Sequence, residues 1–238
     1  MGSRMFPFIT CTWNLLGGEC KHGCRYCWAR ALARKNNMAK YFGEPRLIEK
    51  EMQRQFKADD FVFVCDMLDL LGEWVPSDLI KVILGKIASS LGTFLLLTKN
   101  PKCYLELLDF LPMNVVLGCT IESDISYSEV SKAPSQFQRL YWMTKLAEVE
   151  RIRSADGRNS HKLFVAIEPI LAFDLRSFSN ILCNWIKPWA VAVGYDNYRN
   201  KLSEPPLEKT LQLIDRLEKA GITIYRKTLR EAWNEQRN

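Results

Sequence analysis

No apolar run in the sequence approaches the roughly 20 residues needed to cross a bilayer, so a membrane-embedded chain is not expected. The N-terminus also lacks the charged, apolar and small-residue segments of a secretory signal. There is no Pro-, Gly- or Ser-rich linker and no shift of composition, which argues against a second domain. The expectation is one cytoplasmic domain over residues 1–238, with 1–4 a cloning remnant ahead of Met5. That length can bury a sizeable core. Histidine is scarce: His161 sits in a polar loop and reads as solvated, which leaves His22 as the one histidine near other chemistry. An excess of acid is missing too. The net charge of +6 and pI near 8.9 turn the chain toward anionic partners, nucleic acid first, or mark an ordinary basic enzyme.

Cysteine is not lacking, and eight in a cytoplasmic chain argue for free thiols or metal rather than a disulfide framework. Three of them fall within eight residues, in Cys20-Lys21-His22-Gly23-Cys24-Arg25-Tyr26-Cys27, with C-x3-C-x2-C spacing. A short loop can wrap three corners of a cuboidal [4Fe-4S] cluster and leave the fourth iron without a protein ligand. That iron can take the amino and carboxylate groups of S-adenosylmethionine (SAM) and pass an electron into the sulfonium. The products are methionine and a 5′-deoxyadenosyl radical that abstracts hydrogen. The alternative is a zinc knuckle using the same cysteines with His22 or Cys11 as fourth donor, although His22 is awkwardly placed to close a tetrahedron. The other five cysteines (Cys11, Cys65, Cys103, Cys119, Cys183) are scattered singly, so no second cluster is expected.

After the cysteines, residues 28–41 read as a helix ended by Gly43, and Pro45 opens a second helix to residue 57. Apolar runs at residues 8–13, 61–65, 93–98, 115–120, 163–168, 189–194 and 222–225 have strand length. Helical stretches at 79–91, 101–110, 137–151, 174–186 and 207–220 alternate with them. Strands apolar throughout are buried on both faces, as in a parallel sheet covered by helices. The expected class is α/β, a single-domain, incomplete parallel β/α (TIM-like) barrel of six or seven strands. An open doubly wound sheet is the alternative. In such barrels the chemistry sits at the C-terminal strand ends. Asp66, Asp69, Thr98, Lys99, Thr120, Glu122, Glu168, Asp196 and Lys227 stand there.

The cysteine spacing, with aromatic Tyr26 before the third cysteine, resembles the radical-SAM superfamily. Phe63-Val64-Cys65-Asp66-Met67-Leu68-Asp69, Leu96-Leu97-Thr98-Lys99-Asn100-Pro101, Ala166-Ile167-Glu168-Pro169-Ile170-Leu171 and Tyr225-Arg226-Lys227 resemble a phage- and microbe-encoded family of compact three-cysteine radical-SAM-like proteins of unsettled reaction. That resemblance covers nearly the whole chain and departs in the loop 15–19. It implies a [4Fe-4S] cluster on Cys20, Cys24 and Cys27, and SAM as second cofactor. By the same analogy Asp66, Met67, Leu68 and Asp69 meet the methionine amino group, with Thr98 beside them. Glu122 and Ser123 then meet the ribose, and the strand at Val193 offers its backbone to adenine. Lys99 and Lys227 hold the SAM carboxylate or a substrate phosphate. Glu168 binds a polar substrate, takes a proton or serves as a structural hydrogen-bonding group, and Cys119 and Cys65 either pack as small buried side chains or return a hydrogen atom to a substrate radical. An external one-electron donor, a flavodoxin or ferredoxin, is the implied partner.

Two basic loops bear on the substrate. Arg151, Arg153, Arg158 and Lys162 lie at the entry of the fifth strand, the face opposite the chemistry. Tyr195, Tyr198, Arg199 and Lys201 follow the sixth strand, where rings can stack on bases and cations can meet phosphates. These four are the candidate substrate-binding residues, for nucleic acid or a nucleobase, with a small anionic metabolite or a peptide as alternatives. Two other functions compete. A non-catalytic zinc or iron–sulfur module binding nucleic acid leaves the strand-end carboxylates unexplained, and a metal-independent barrel enzyme using Glu168 and Lys99 leaves the thiols unexplained.

Overall fold

The computed structural model describes residues 5–235, so the expected remnant at 1–4 lies outside the described residues. Strand β1 (Cys11–Trp13) is followed by an antiparallel ribbon of β2 (Leu16–Gly17) with β3 (Arg46–Leu47), separate from the main sheet. The main sheet continues through β4 (Phe61–Val64), β5 (Thr93–Thr98), β6 (Val115–Thr120), β7 (Lys162–Ile167), β8 (Ala190–Val193) and β9 (Thr223–Arg226). Its seven strands are all parallel and follow the chain in the order β1-β4-β5-β6-β7-β8-β9. A doubly wound sheet reverses its strand order at a switch point. This one never reverses, and β1 and β9 remain its two edges, which makes it a curled, incomplete α/β barrel.

Alternation along the strands separates two apolar layers. Phe94 and Leu96 of β5, Val115 and Leu117 of β6, and Val165 and Ile167 of β7 pack in one cluster with Ile80, Ile83, Leu140, Met143 and Leu213 of the surrounding helices. Those helices include α3 (Ser77–Ala88), α5 (Gln136–Ala155) and α7 (Leu207–Lys219), counted after α1 (Trp28–Lys35) and α2 (Glu49–Met52). The intervening residues Leu95, Val116, Phe164 and Ala166 turn to the inside of the curl. There they meet Phe6 and Ile9, so an N-terminal segment fills the inside of the half-barrel. Phe6 lies edge-on to Phe164 at 5.1 Å, and Phe8 reaches Phe61 at 4.8 Å and Tyr225 at 4.7 Å.

Several expected helices are broken. Residues 45–57 give β3 and the single turn α2 instead of one helix, because Ile48 N donates to Leu15 O and the Trp13 indole to Glu51 O, tying this stretch to β1 and its exit. The segment 101–110 divides into α4 (Lys102–Glu106) and a 3-10 turn, and α1 stops at Lys35 before another 3-10 turn at Ala39–Tyr41. Asp174 does cap α6 (Leu175–Asn180), accepting from Ser177 N at 2.7 Å, and the helix continues as a π-helical turn to Ile186. His161, expected in solvent, is buried: its Nδ1 lies 2.9 Å from Glu150 Oε1 and its Nε2 3.3 Å from Pro112 O. No helix among the described residues is long and apolar enough to cross a membrane.

Candidate functional site

A cavity of about 540 Å³ opens at the C-terminal ends of the strands, with Phe6 and Ile9 as its floor. Small-molecule sites have about this volume, roughly 300–1,000 Å³. Cys20, Cys24 and Cys27 all line it, on the loop between β2 and α1. Gly23 stands at φ +65, a left-handed conformation that glycine adopts without strain, and so turns the chain between His22 and Cys24. Cys27 is the N-cap of α1, its sulfur accepting from Arg30 N at 3.3 Å, so the loop presents it at a helix end that favours negative charge. The loop is braced from outside. Arg25 N bonds Val130 O, Lys132 N bonds His22 O at 2.7 Å, and Cys24 Sγ lies 3.3 Å from Ser131 Oγ.

Two buried carboxylates hold this loop from behind. Asp69 Oδ2 faces His22 Nε2 at 2.8 Å and accepts from Thr98 Oγ1 at 3.0 Å and Lys99 N at 2.7 Å, while Oδ1 accepts from Leu71 N. Burial works against its charge, but these donors, His22 foremost, outweigh it and lower its pKa. Glu122, fully buried, accepts from the Tyr26 hydroxyl and from Gln136 Nε2, and pairs with Arg139 at 2.8 Å and Lys99 at 3.9 Å. Burial opposes its ionisation too, and Arg139 and Lys99 overcome that to hold its carboxyl below the usual range. Burial likewise opposes the charge of Lys99, which the Cys24 sulfur and Glu122 restore and raise. Burial and the neighbouring Asp69 push the Cys20 thiol up to about 11.

Across the cavity Glu168 Oε2 pairs with Lys227 Nζ at 3.1 Å, and Lys227 also donates to Met5 O and lies over the Phe6 ring. The pair bridges β7 and β9 across Gly194, where a Cβ would come within 2.8 Å of Lys227 Cβ and 3.5 Å of Glu168 Oε1. Burial raises the Glu168 pKa against the pull of Lys227. Asp66, half-buried, accepts from Asn14 Nδ2 at 2.5 Å, and burial raises its pKa as well.

Of the residues singled out from the sequence, Cys20, Cys24, Cys27, Asp66, Met67, Leu68, Asp69, Thr98, Lys99, Glu168, Lys227, Tyr195 and Tyr198 line this one cavity. Glu122 and Ser123 lie outside its lining, Ser123 Oγ donating to Ala172 O at 2.6 Å. Cys119 and Val193 pack in the outer layer against the helices, and burial lifts the Cys119 thiol far above its ordinary value. Tyr195 is fully buried with its hydroxyl on Pro205 O and Thr210 Oγ1, so of the two tyrosines only Tyr198 presents an exposed ring. Arg199 lies over Trp233 at 4.5 Å, and Asp196 holds the loop by accepting from Tyr198 N and Asn200 N. Sequence reading missed the hydroxyl of Tyr26, Arg139 and the Phe6 floor. Only the position of Tyr26 within the cysteine motif carried a signal.

The thiols fit a cluster better than a single ion. A cuboidal cluster takes each thiolate on a separate iron, and Cys20, Cys24 and Cys27 all line the one cavity. Among the described residues no three His, Cys, Asp or Glu side chains gather closely enough for one ion, and His22, the proposed fourth zinc donor, is engaged by Asp69.

Residues 5–140 match a family model described as protein of unknown function, DUF5131. No curated protein sequence matches. Two solved structures of mutant spore photoproduct lyases are similar in fold at 12% identity. One has a TM-score of 0.53, with 91% of this chain and 76% of that chain covered, and the other 0.54, with 89% and 74% covered.

Proposed function

The chain belongs to the DUF5131 family of proteins of unknown function, and we propose that it is a radical-SAM enzyme. The observation that carries this reading is the convergence of Cys20, Cys24 and Cys27 on a cavity shared with strand-end carboxylates and lysines. The like-folded lyases are radical-SAM enzymes, which supports the superfamily. When bound, a [4Fe-4S] cluster supplies one-electron reduction of the SAM sulfonium, releasing methionine and a 5′-deoxyadenosyl radical.

The chain's own residues then have these roles. The three cysteines hold the cluster, and Asp66, Met67 and Leu68 from the β4 exit orient the cationic end of SAM. Asp69 and Glu122 are occupied by their neighbours and act by fixing the cysteine loop and Lys99. Glu168 and Lys227 form a dipolar pair on the substrate side of the cavity. The substrate is one to be modified or repaired, a nucleic acid or nucleobase, for which Tyr198 offers an exposed ring at the rim.

Anaerobic reconstitution tests the reading. About four irons per chain, visible iron–sulfur absorption and formation of 5′-deoxyadenosine from SAM are expected. Each of Cys20→Ala, Cys24→Ala and Cys27→Ala should abolish the absorption. Full iron retention in any one of these variants, or stoichiometric zinc in the parent protein, would overturn it.

A further inference from the structure

The positive charge of this protein is concentrated in one place. Between residues 20 and 43 there are six Lys and Arg residues and no Asp or Glu. Those six equal the net charge of +6, so the rest of the chain carries as many acids as bases. The stretch is the cysteine loop and α1, and the charges face outward: Arg25, Arg34 and Lys35 are exposed and Arg30 is half-exposed. Arg30 and Arg34, four apart, share one helix face. Exposed Lys132, from the bracing loop, joins them, since both its side chain and the Arg30 guanidinium flank Gly23 within 3.7 Å of where a Cβ would stand. Of the nearby acids, Glu44 is paired with Lys21, and Glu129 precedes Val130, which bonds Arg25 N.

We propose that this basic face is the docking surface for an acidic protein that delivers electrons to the cysteine loop. The proposal rests on the radical-SAM reading, in which the electron that reduces the cluster comes from outside, the donor being oxidised by one electron as the chain's cluster is reduced by one. A protein fits better than a nucleic acid because the one large side chain exposed among these cations is Leu32, an aliphatic anchor, where a base-stacking surface would interleave aromatic rings. The exposed ring of Tyr198 belongs to the loop after β8. Complementary rim charges of this kind govern association rate and its salt dependence.

The test uses an acidic flavodoxin as probe, titrated calorimetrically against cluster-loaded and cluster-free protein. Binding is expected in both forms, weakening steeply from 50 to 300 mM salt. The double variant Arg34→Gln/Lys35→Gln should bind about fivefold to tenfold more weakly, while keeping its iron content and its dithionite-driven formation of 5′-deoxyadenosine. Absence of flavodoxin binding, or binding indifferent to salt and to the double substitution, overturns the surface. So does a single-stranded oligonucleotide losing affinity in the variant while flavodoxin does not. Failure of the enzymatic reading is separate: it appears as absent iron, whereas calorimetry on cluster-free protein still reads the docking face.

Discussion

A carboxylate with no access to water must find all its partners in the protein, and Glu122 does so among Tyr26, Gln136, Arg139 and Lys99. Removing one member of a buried pair leaves the other charge uncompensated, which costs about 3–5 kcal/mol. Glu122→Ala should lower the free energy of unfolding by that amount, read from denaturant curves, and loosen the cysteine loop, seen as faster alkylation of Cys24 and Cys27 in cluster-free protein. The same residue contributes to the acid response. Its folded pKa lies below its unfolded value of about 4.3. Its stabilisation is therefore present above that value and is lost as pH falls through the folded pKa. Urea midpoints measured from pH 6 down to pH 3 should decline more steeply in the parent than in Glu122→Gln. Equal slopes would show that folding does not lower the Glu122 pKa.

Three strands meet at one glycine on the far side of the cavity. Gly194→Ala sets a methyl 2.8 Å from Lys227 Cβ, close to the backbone leaving β9, so that strand end and the Glu168–Lys227 pair have to move. Overpacking of this kind costs about 1–3 kcal/mol, or several degrees of melting temperature in a chain of this length. An unchanged melting curve would mean that the strand exits are looser than this contact implies. The seven strands were legible because each is a short apolar run and their order needs no reversal. The β2–β3 ribbon was not, since each strand has two residues and Arg46 anchors it through the carbonyls of Phe42, Glu44, Ala39 and Lys40. Local spacing exposed the cysteine loop and the strand ends. The engagement of Glu122 was hidden because its partner Arg139 sits on α5, on what reads as an ordinary helix face, and the burial of Tyr195 was hidden because Thr210 lies on α7.

For the molecule as a whole, an open barrel has a gap where a closed one would have further strands, and here Phe6 and Phe8 occupy the inside of the curl. Phe6→Ala deletes a buried ring from contact with Phe63 and Phe164 and should cost about 3–5 kcal/mol. It also removes the ring beneath Lys227 and deepens the cavity floor. Equilibrium unfolding reads the first effect; a loss under 1 kcal/mol would show that the segment merely rests on the sheet.

This placement of Phe6 and Phe8 has a consequence for how the protein is made. Phe8 packs against Tyr225 of the last strand, which leaves the ribosome about 200 residues later. At roughly 5–20 residues per second this is a wait of about 10–40 s. Until then the Phe8 ring has no Tyr225 to cover it, and until residue 189 is made it has no Trp189 either. The nascent chain therefore carries Phe8 only partly covered, by Phe61 and Phe164, until synthesis is almost complete. That ring is where a chaperone binding unfolded apolar segments would engage this protein, and it would be released when β9 arrives.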